Sequence, residues 1–315
     1  MSENSKLAIV FPGQGSQSVG MLSDLSKAFP TTVRGTFQEA SEALQVDLWE
    51  MVQNGPESEL NRTECTQPAM LAAGIAVWRC WRAQGGATPV VLAGHSLGEY
   101  TALVCAGALD FGVAARLVAE RARFMQEAVS AGDGRMAAIL GLNDDQVRLV
   151  CQEAAQGEIV EAVNFNAPGQ VVIAGCTAAV ERAVTLAQAA GAKRALELPV
   201  SVPSHCALMQ PAAAKLAERL EAVRIKPPAL SVLHNVDVSV AMRPQAIRDR
   251  LVKQLHSPVR WVEIIRRMAA DGVGWVIECG PGKVLAGLNR RIERRMDVDA
   301  VFDSASLDKA LLRGS

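Results

Sequence analysis

The pentapeptide Gly94-His95-Ser96-Leu97-Gly98 constrains this chain more than any other stretch. An apolar run, Val90-Val91-Leu92-Ala93, leads into it, and a helical pattern begins at Glu99. A buried strand that feeds straight into a helix needs a sharp turn, and the flanking glycines let the backbone bend there. Ser96 then stands at the strand's end and the helix's start. Free N–H groups and the positive end of the helix dipole face the same point. Such donors stabilise negative charge on a carbonyl oxygen under attack. The plainer reading is a serine that caps a helix, and the full strand–turn–helix setting argues against it.

The chain has 315 residues, half of them hydrophobic, enough for one large domain or one domain with a smaller insert. Strand patterns fall at Leu7–Phe11, Val90–Ala93, Leu230–Asn235 and Val273–Cys279. Helical patterns cover 31–53, 56–84, 112–129, 244–255 and 282–295, with Thr66-Gln67-Pro68 opening one of them. These predict an α/β main body with a parallel sheet and helices on both faces. Residues 131–202 read differently. Strands at Arg135–Leu142, Glu158–Phe165, Gln170–Gly175 and Lys193–Val200 enclose helices at Asp144–Ala155 and Thr177–Ala190. The order β-α-β-β-α-β is the ferredoxin-like unit. It predicts an inserted subdomain over 131–202, with the main body made of 1–130 and 203–315.

Composition removes several classes of function. The net charge of −1 and an aromatic content of 4% argue against nucleic acid as a partner. Seven cysteines, an odd number with no C-x-x-C pair, argue against a disulfide framework or zinc site and fit a reducing cytoplasm. The apolar stretch Pro89–Leu109 contains His95, Ser96, Glu99 and Tyr100, too polar for a membrane span. Met1–Val10 has no signal-peptide pattern.

Serine needs a base to take its proton. Of four histidines, His95 points away from its neighbour Ser96 and is expected to make a structural hydrogen bond. His205, His234 and His256 remain as candidates, ranked in that order. No Asp or Glu announces itself as the orienting acid of a triad, so a backbone or amide carbonyl is the alternative. Arg121 falls on the apolar stripe of helix 112–129 with Leu117 and Met125. An inward guanidinium must pair with a carboxylate such as Glu99 or Glu120, snorkel to water, or grip a substrate carboxylate with its fork. Gly13-Gln14-Gly15 follows a strand but lacks the third glycine of a dinucleotide fingerprint, since Ser18 stands there. Gly280-Pro281-Gly282-Lys283 likewise fails as a Walker loop. The first loop therefore presents Gln14 at the sheet's C-terminal edge, where α/β sites form.

These stretches together resemble one family. Phe11-Pro12-Gly13-Gln14-Gly15-Ser16-Gln17, Thr66-Gln67-Pro68-Ala69, Gly94–Glu99, Arg121 with Phe124-Met125-Gln126, Asn164-Phe165-Asn166 and Val202-Pro203-Ser204-His205 run in order. Asn235-Val236-Asp237, Gln254-Leu255 and Gly280–Lys283 complete the set, which is similar to the malonyl-CoA:acyl carrier protein transacylases of bacterial fatty acid synthesis. The tail after Asp297 matches less well. The resemblance implies an α/β-hydrolase-like core with the ferredoxin-like insert. It implies Ser96 as the acylated residue, His205 as general base and acid, and an oxyanion hole from the N–H groups of Gln14 and Leu97. Arg121 becomes the ligand of the malonyl carboxylate, Gln67, Met125 and Asn166 further substrate-binding residues, and the Gln254 carbonyl the group that orients the histidine. The implied partners are malonyl-CoA and acyl carrier protein. Coenzyme A and phosphopantetheine enter as substrates, with no resident cofactor or metal, in a cytoplasmic monomer. The rival readings are a serine hydrolase, a non-catalytic acyl-CoA or carrier-binding module, and an acyltransferase serving polyketide synthesis or malonate decarboxylation. Arg266 with Arg267, and Arg290, Arg291, Arg294 and Arg295, are candidate contacts for an acidic carrier protein, or simply solvated faces.

Overall fold

The computed structural model describes residues 6–200 and 202–314. Among them nine strands occur: β1 (Lys6–Phe11), β2 (Val91–Gly94), β3 (Gly134–Leu140), β4 (Val160–Ala167), β5 (Gln170–Cys176), β6 (Arg194–Glu197), β7 (Ser231–Leu233), β8 (Val273–Cys279) and β9 (Asp297–Val301). Five form a sheet ordered β7-β2-β1-β8-β9, with every neighbouring pair parallel. The other four form an antiparallel sheet ordered β4-β5-β3-β6.

The unbroken apolar run of β1 has a simple cause. Leu7, Ile9 and Phe11 enter one core while Ala8 and Val10 enter another on the opposite face. A strand covered on both sides has no polar alternation to show. The first core gathers helices Thr63–Ala83, Gly98–Cys105 and Phe111–Glu127, and the second gathers Trp261–Ala270 and Val284–Ile292. The antiparallel sheet packs one face under helices Asp144–Ala155 and Thr177–Ala189. Its other face packs Met136, Val163, Val172 and Ala174 against Cys206, where the chain has returned to the main body. A parallel bridge ties the two parts: Val259 N–H donates to Val163 C=O at 2.8 Å, and Phe165 N–H to Val259 C=O at 3.0 Å.

Several predicted elements divide or shift. The helix read over 31–53 is two, Pro30–Leu44 and Leu48–Asn54. Gln45 ends the first with a φ of 57°, and the Asp47 side chain caps the second by accepting from Glu50 N–H. The span 56–84 becomes Glu57–Leu60 and Thr63–Ala83. Pro68 therefore lies inside the longer helix rather than at its opening. The strand read over Lys193–Val200 stops at Glu197, and Leu198 and Val200 turn toward a cleft between the two sheets. The predicted helix over 282–295 ends at Ile292, so Arg294 and Arg295 lie beyond it. Arg290 and Arg291 are committed to Val298 C=O and to Gln170 and Pro168. Helices Gln210–Glu221 and Ser304–Gly314, and the edge strand β9, escape the sequence reading.

The bend after β2 depends on two glycines. A Cβ on Gly94 would stand 1.8 Å from the Gly98 carbonyl carbon, and one on Gly98 2.1 Å from the Phe11 carbonyl oxygen. Both obstacles are backbone and cannot rotate away. Gly98→Ala is expected to cost about 3 kcal/mol, lowering the thermal midpoint by roughly 5 °C or more. A melting curve unchanged from the wild-type one would contradict this account of the turn.

Candidate active site

Ser96 sits at the bend with a φ of 51°, in the left-handed region that non-glycine residues rarely occupy. Such a backbone costs about 1–3 kcal/mol and persists only where its surroundings hold it. Asn235, just past β7, supplies part of the hold. Its Oδ1 accepts from Ser96 N–H at 2.8 Å, and its Nδ2 donates to Gly94 C=O at 2.7 Å. Gln254 Nε2 donates to Ser96 C=O at 3.0 Å. Two buried amide side chains thus pin the serine's own peptide groups. Sequence reasoning had Asn235 only as part of a motif; nothing in its local pattern announces this task.

His205 faces the hydroxyl. Its Nε2 lies 2.7 Å from Ser96 Oγ, and its Nδ1 lies 2.8 Å from the backbone oxygen of Gln254. A carbonyl can only accept, so Nδ1 carries the hydrogen and Nε2 is left bare to accept from the serine. The residue also has a left-handed φ of 70°, fixed by its N–H donating to Leu255 C=O. Burial, then the positive charge of Arg121, pushes the imidazole down to about 3. It is a neutral base at any physiological pH. Two of the other histidines are occupied elsewhere. His95 Nε2 bonds Asn166 Oδ1 at 2.8 Å and its ring lies against Trp261. His234 Nδ1 bonds Glu99 Oε1 at 2.7 Å. His256 is half-exposed at the end of its helix.

Arg121 is 1% exposed. Among the described residues it has no salt bridge. Glu120 is paired with Arg219, and Glu99 accepts from His234, Asn235 and Gln254. The guanidinium instead donates from Nη1 to Gln67 Oε1 at 2.7 Å and from Nη2 to Gln254 Oε1 at 3.1 Å. Nε is buried with no hydrogen-bond partner among the described residues, and the guanidinium stands 5.5 Å from the centre of the Tyr100 ring. Buried charges are ordinarily paired, so a cation satisfied only by neutral amides is poised to receive an anion.

Ser96, His205 and Arg121 line one cavity of about 110 Å³ between the two sheets. Gln14, Leu97, Gln67 and Met125 line it too, as do Met136 of β3 and Leu198 and Val200 just past β6. The space equals that of roughly three or four waters, suited to a short acyl group rather than a fatty chain. Gln14 follows β1 and Leu97 follows the serine. Among the described residues neither backbone N–H is spent on another hydrogen bond. Gln67 reaches Met125 Sδ through Nε2 at 3.6 Å. Asn166 is a departure from expectation. Its side chain is turned to His95, and Asn164 is the neighbour that lines the cavity. On a strand, side chains two apart share a face, but β4 carries irregular register between Phe165 and Ala167, which separates these two. A wider groove of about 670 Å³ beside Arg148, Glu161 and Glu263 contains none of these residues.

A dyad on a strand–helix bend, beside a short cleft with a buried cation, is the equipment of an acyl-transferring enzyme, and the chain belongs to the family of acyl transferase domains, which matches residues 8–301. It is 55% identical over 307 residues to the malonyl CoA-acyl carrier protein transacylase of Escherichia coli K12, spanning 98% of this chain and 99% of the relative. It is also similar to the crystal structure of an acyl carrier protein S-malonyltransferase from Vibrio cholerae, with TM-score 0.94 and 57% identity, covering 97% and 99% of the two chains. A malonyl-transacylase solved in complex with its holo type II PKS acyl-carrier protein superposes with TM-score 0.97 at 56% identity, covering 98% and 100%.

The depressed basicity of His205 has a kinetic consequence. Protonation disables the base, and an ordinary histidine would lose half its capacity near pH 6.5. Because the folded imidazole holds a proton only near pH 3, single-turnover acylation should keep its rate from pH 8 down to about pH 5. A rate already halved at pH 6.5, with the fold intact by circular dichroism, would contradict the neutral-base assignment.

Proposed function

We propose that this protein transfers a malonyl group from malonyl-CoA to the phosphopantetheine thiol of an acyl carrier protein through a malonyl ester of Ser96. One observation carries the reading: a 2.7 Å Ser96–His205 contact shares one cleft with Arg121, a buried cation that has no carboxylate partner among the described residues. The named relatives, nearly full length and more than half identical, act on the same pair of substrates by their names.

The steps follow from the chemistry of the residues. Arg121 receives the free carboxylate of the malonyl group through its fork. His205 Nε2 takes the Ser96 proton as Oγ attacks the thioester carbonyl. The N–H groups of Gln14 and Leu97 hold the oxyanion, each worth about 3 kcal/mol in the transition state. Collapse expels the coenzyme A thiolate, which takes the proton back from His205. The carrier's pantetheine thiol then gives its proton to His205 and attacks the ester; collapse leaves the malonyl group on the carrier's sulfur and returns that proton from His205 to Ser96 Oγ. The pantetheine arm arrives with each substrate, so the chemistry requires no resident cofactor or metal. Gln67 and Met125 belong to the acyl site by position, and Asn166 acts through His95.

The finer architecture is part of the same reading. We take residues 1–130 and 203–315 as an α/β-hydrolase-like body and 131–202 as a ferredoxin-like insert. The order β6-β3-β5-β4 with two helices on one face supports the second assignment, and the nucleophile after β2 of a parallel sheet supports the first. No described helix is long and apolar enough to cross a membrane, and a cytoplasmic monomer fits the reaction. Supply of fatty acid synthesis is the favoured setting, although the same site chemistry would serve polyketide assembly. The solved complex with a PKS carrier protein keeps that second reading open.

Intact-protein mass spectrometry after mixing with malonyl-CoA tests the core of the proposal. The wild type is expected to gain one malonyl group and Ser96→Ala none; an adduct that persists on the variant would reject Ser96. In Arg121→Ala, malonyl transfer should fall by about a hundredfold or more, the cost of a lost charge-assisted fork. Acetyl transfer should fall far less. An unchanged preference for malonyl over acetyl in that variant would remove Arg121 from the carboxylate site.

A further inference from the structure

Gln254 touches three parts of the site at once. Its backbone oxygen holds His205, its Oε1 accepts from Arg121 Nη2, and its Nε2 donates to Ser96 C=O and to Glu99 Oε2, both at 3.0 Å. A glutamine amide can be seated in either of two orientations. The one that turned its NH₂ toward Arg121 would set donor against cation. Something must exclude it, and the groups on the far side do so. Ser96 C=O and the Glu99 carboxylate accept hydrogen bonds and cannot donate them, so the amide nitrogen has to lie there and Oε1 has to face the guanidinium.

Glu99 is fully buried on the helix that follows the nucleophile. Its two oxygens receive His234 Nδ1 at 2.7 Å, Asn235 N–H at 2.9 Å and the Gln254 amide. Its negative charge and the positive charge of Arg121 thus stand at opposite ends of a single amide, with the amide dipole aligned between them. This separation matters. A carboxylate in direct contact with Arg121 would occupy the fork that an acyl carboxylate needs. Held one side chain away, Glu99 offsets a buried cation and leaves the fork open. By contrast, among the described residues the amide nitrogen of Gln67, the other amide on Arg121, donates to the thioether of Met125 alone. Its orientation follows Arg121 and does not impose anything on it.

We propose that Glu99, braced by His234, is a specificity-determining positioning residue that aims Arg121 at the acyl carboxylate through the amide of Gln254. The inference rests on the malonyl-transfer reading. It assigns a role to His234, the histidine that sequence reasoning left open as a possible base.

The test compares malonyl-CoA with acetyl-CoA as donors to one carrier protein, for the wild type, Glu99→Gln, Glu99→Asp and Gln254→Leu. The leucine variant keeps the backbone carbonyl that orients His205. In Glu99→Gln and in Gln254→Leu the ratio of malonyl to acetyl kcat/KM should drop on the order of tenfold or more, mostly through the malonyl KM, as for one mis-aimed charge-assisted hydrogen bond. Glu99→Asp should recover part of the ratio. The double variant Glu99→Gln with Gln254→Leu should lose no more than the worse single one, because both act through one amide. If both donors decline together, leaving the ratio within about twofold of wild type, Glu99 is only a brace for the turn and the proposal falls. Should Glu99→Gln not fold, Gln254→Leu decides by the same ratio. Absence of a malonyl preference in the wild type itself would instead overturn the functional reading beneath.

Discussion

The hydrogen bond from His205 Nδ1–H to the Gln254 carbonyl is the constraint on which the site depends. It selects the tautomer, and the tautomer decides that Nε2 accepts from Ser96. A serine enzyme more often uses a carboxylate in this position. Here a carboxylate would bring a fixed anion beside Arg121, 1% exposed and without a salt bridge among the described residues. The two would pair, and the site would lose its capacity for an acyl group that itself carries a negative charge. A peptide oxygen orients the imidazole equally well and adds no net charge. It gives up stabilisation of the imidazolium in return, in keeping with an imidazole that burial and Arg121 already hold near 3.

The same logic explains why so much backbone strain collects in a few residues. Ser96 and His205 both occupy left-handed conformations that cost about 1–3 kcal/mol each. Each is held by bonds from distant parts of the chain, Ser96 by Asn235 and Gln254, His205 by Leu255. The parallel sheet brings these together. The ends of β1 and β2 carry Gln14 and Ser96, β7 leads to Asn235, and the segment around 254–259 runs back across the antiparallel sheet through Val259. The cavity is thus walled by both sheets, with Met136, Leu198 and Val200 closing what the main body leaves open.

Much of this was legible from residues alone, and the failures have physical causes. Gly94 and Gly98 declared the bend because backbone contact at 1.8–2.1 Å tolerates nothing larger. Arg121 stood out because a cation on an apolar stripe needs a reason. The choice among His205, His234 and His256 could not be made from local pattern, since the contact to Ser96 spans 109 residues. Asn235 and Glu99 stayed hidden for the same reason: their partners lie more than a hundred positions away. Asn166, which the resemblance assigns to the substrate, bonds His95 while Asn164 lines the cavity, a difference that a motif spanning both residues does not encode. The helix read over 31–53 is too long because Gln45, a residue without special turn character, ends its first part in a left-handed conformation.

Transfer, as distinct from attachment, is tested most directly by following the acyl group after the enzyme has been loaded. Malonylated protein, freed of excess donor, is mixed with holo-carrier or apo-carrier, and the mass of each protein is read over time together with released malonate. The added mass is expected to leave the enzyme and appear on the holo-carrier alone, with little free malonate. Release of the group as malonate while holo-carrier is abundant, or its arrival on the apo form, would contradict the transfer reading.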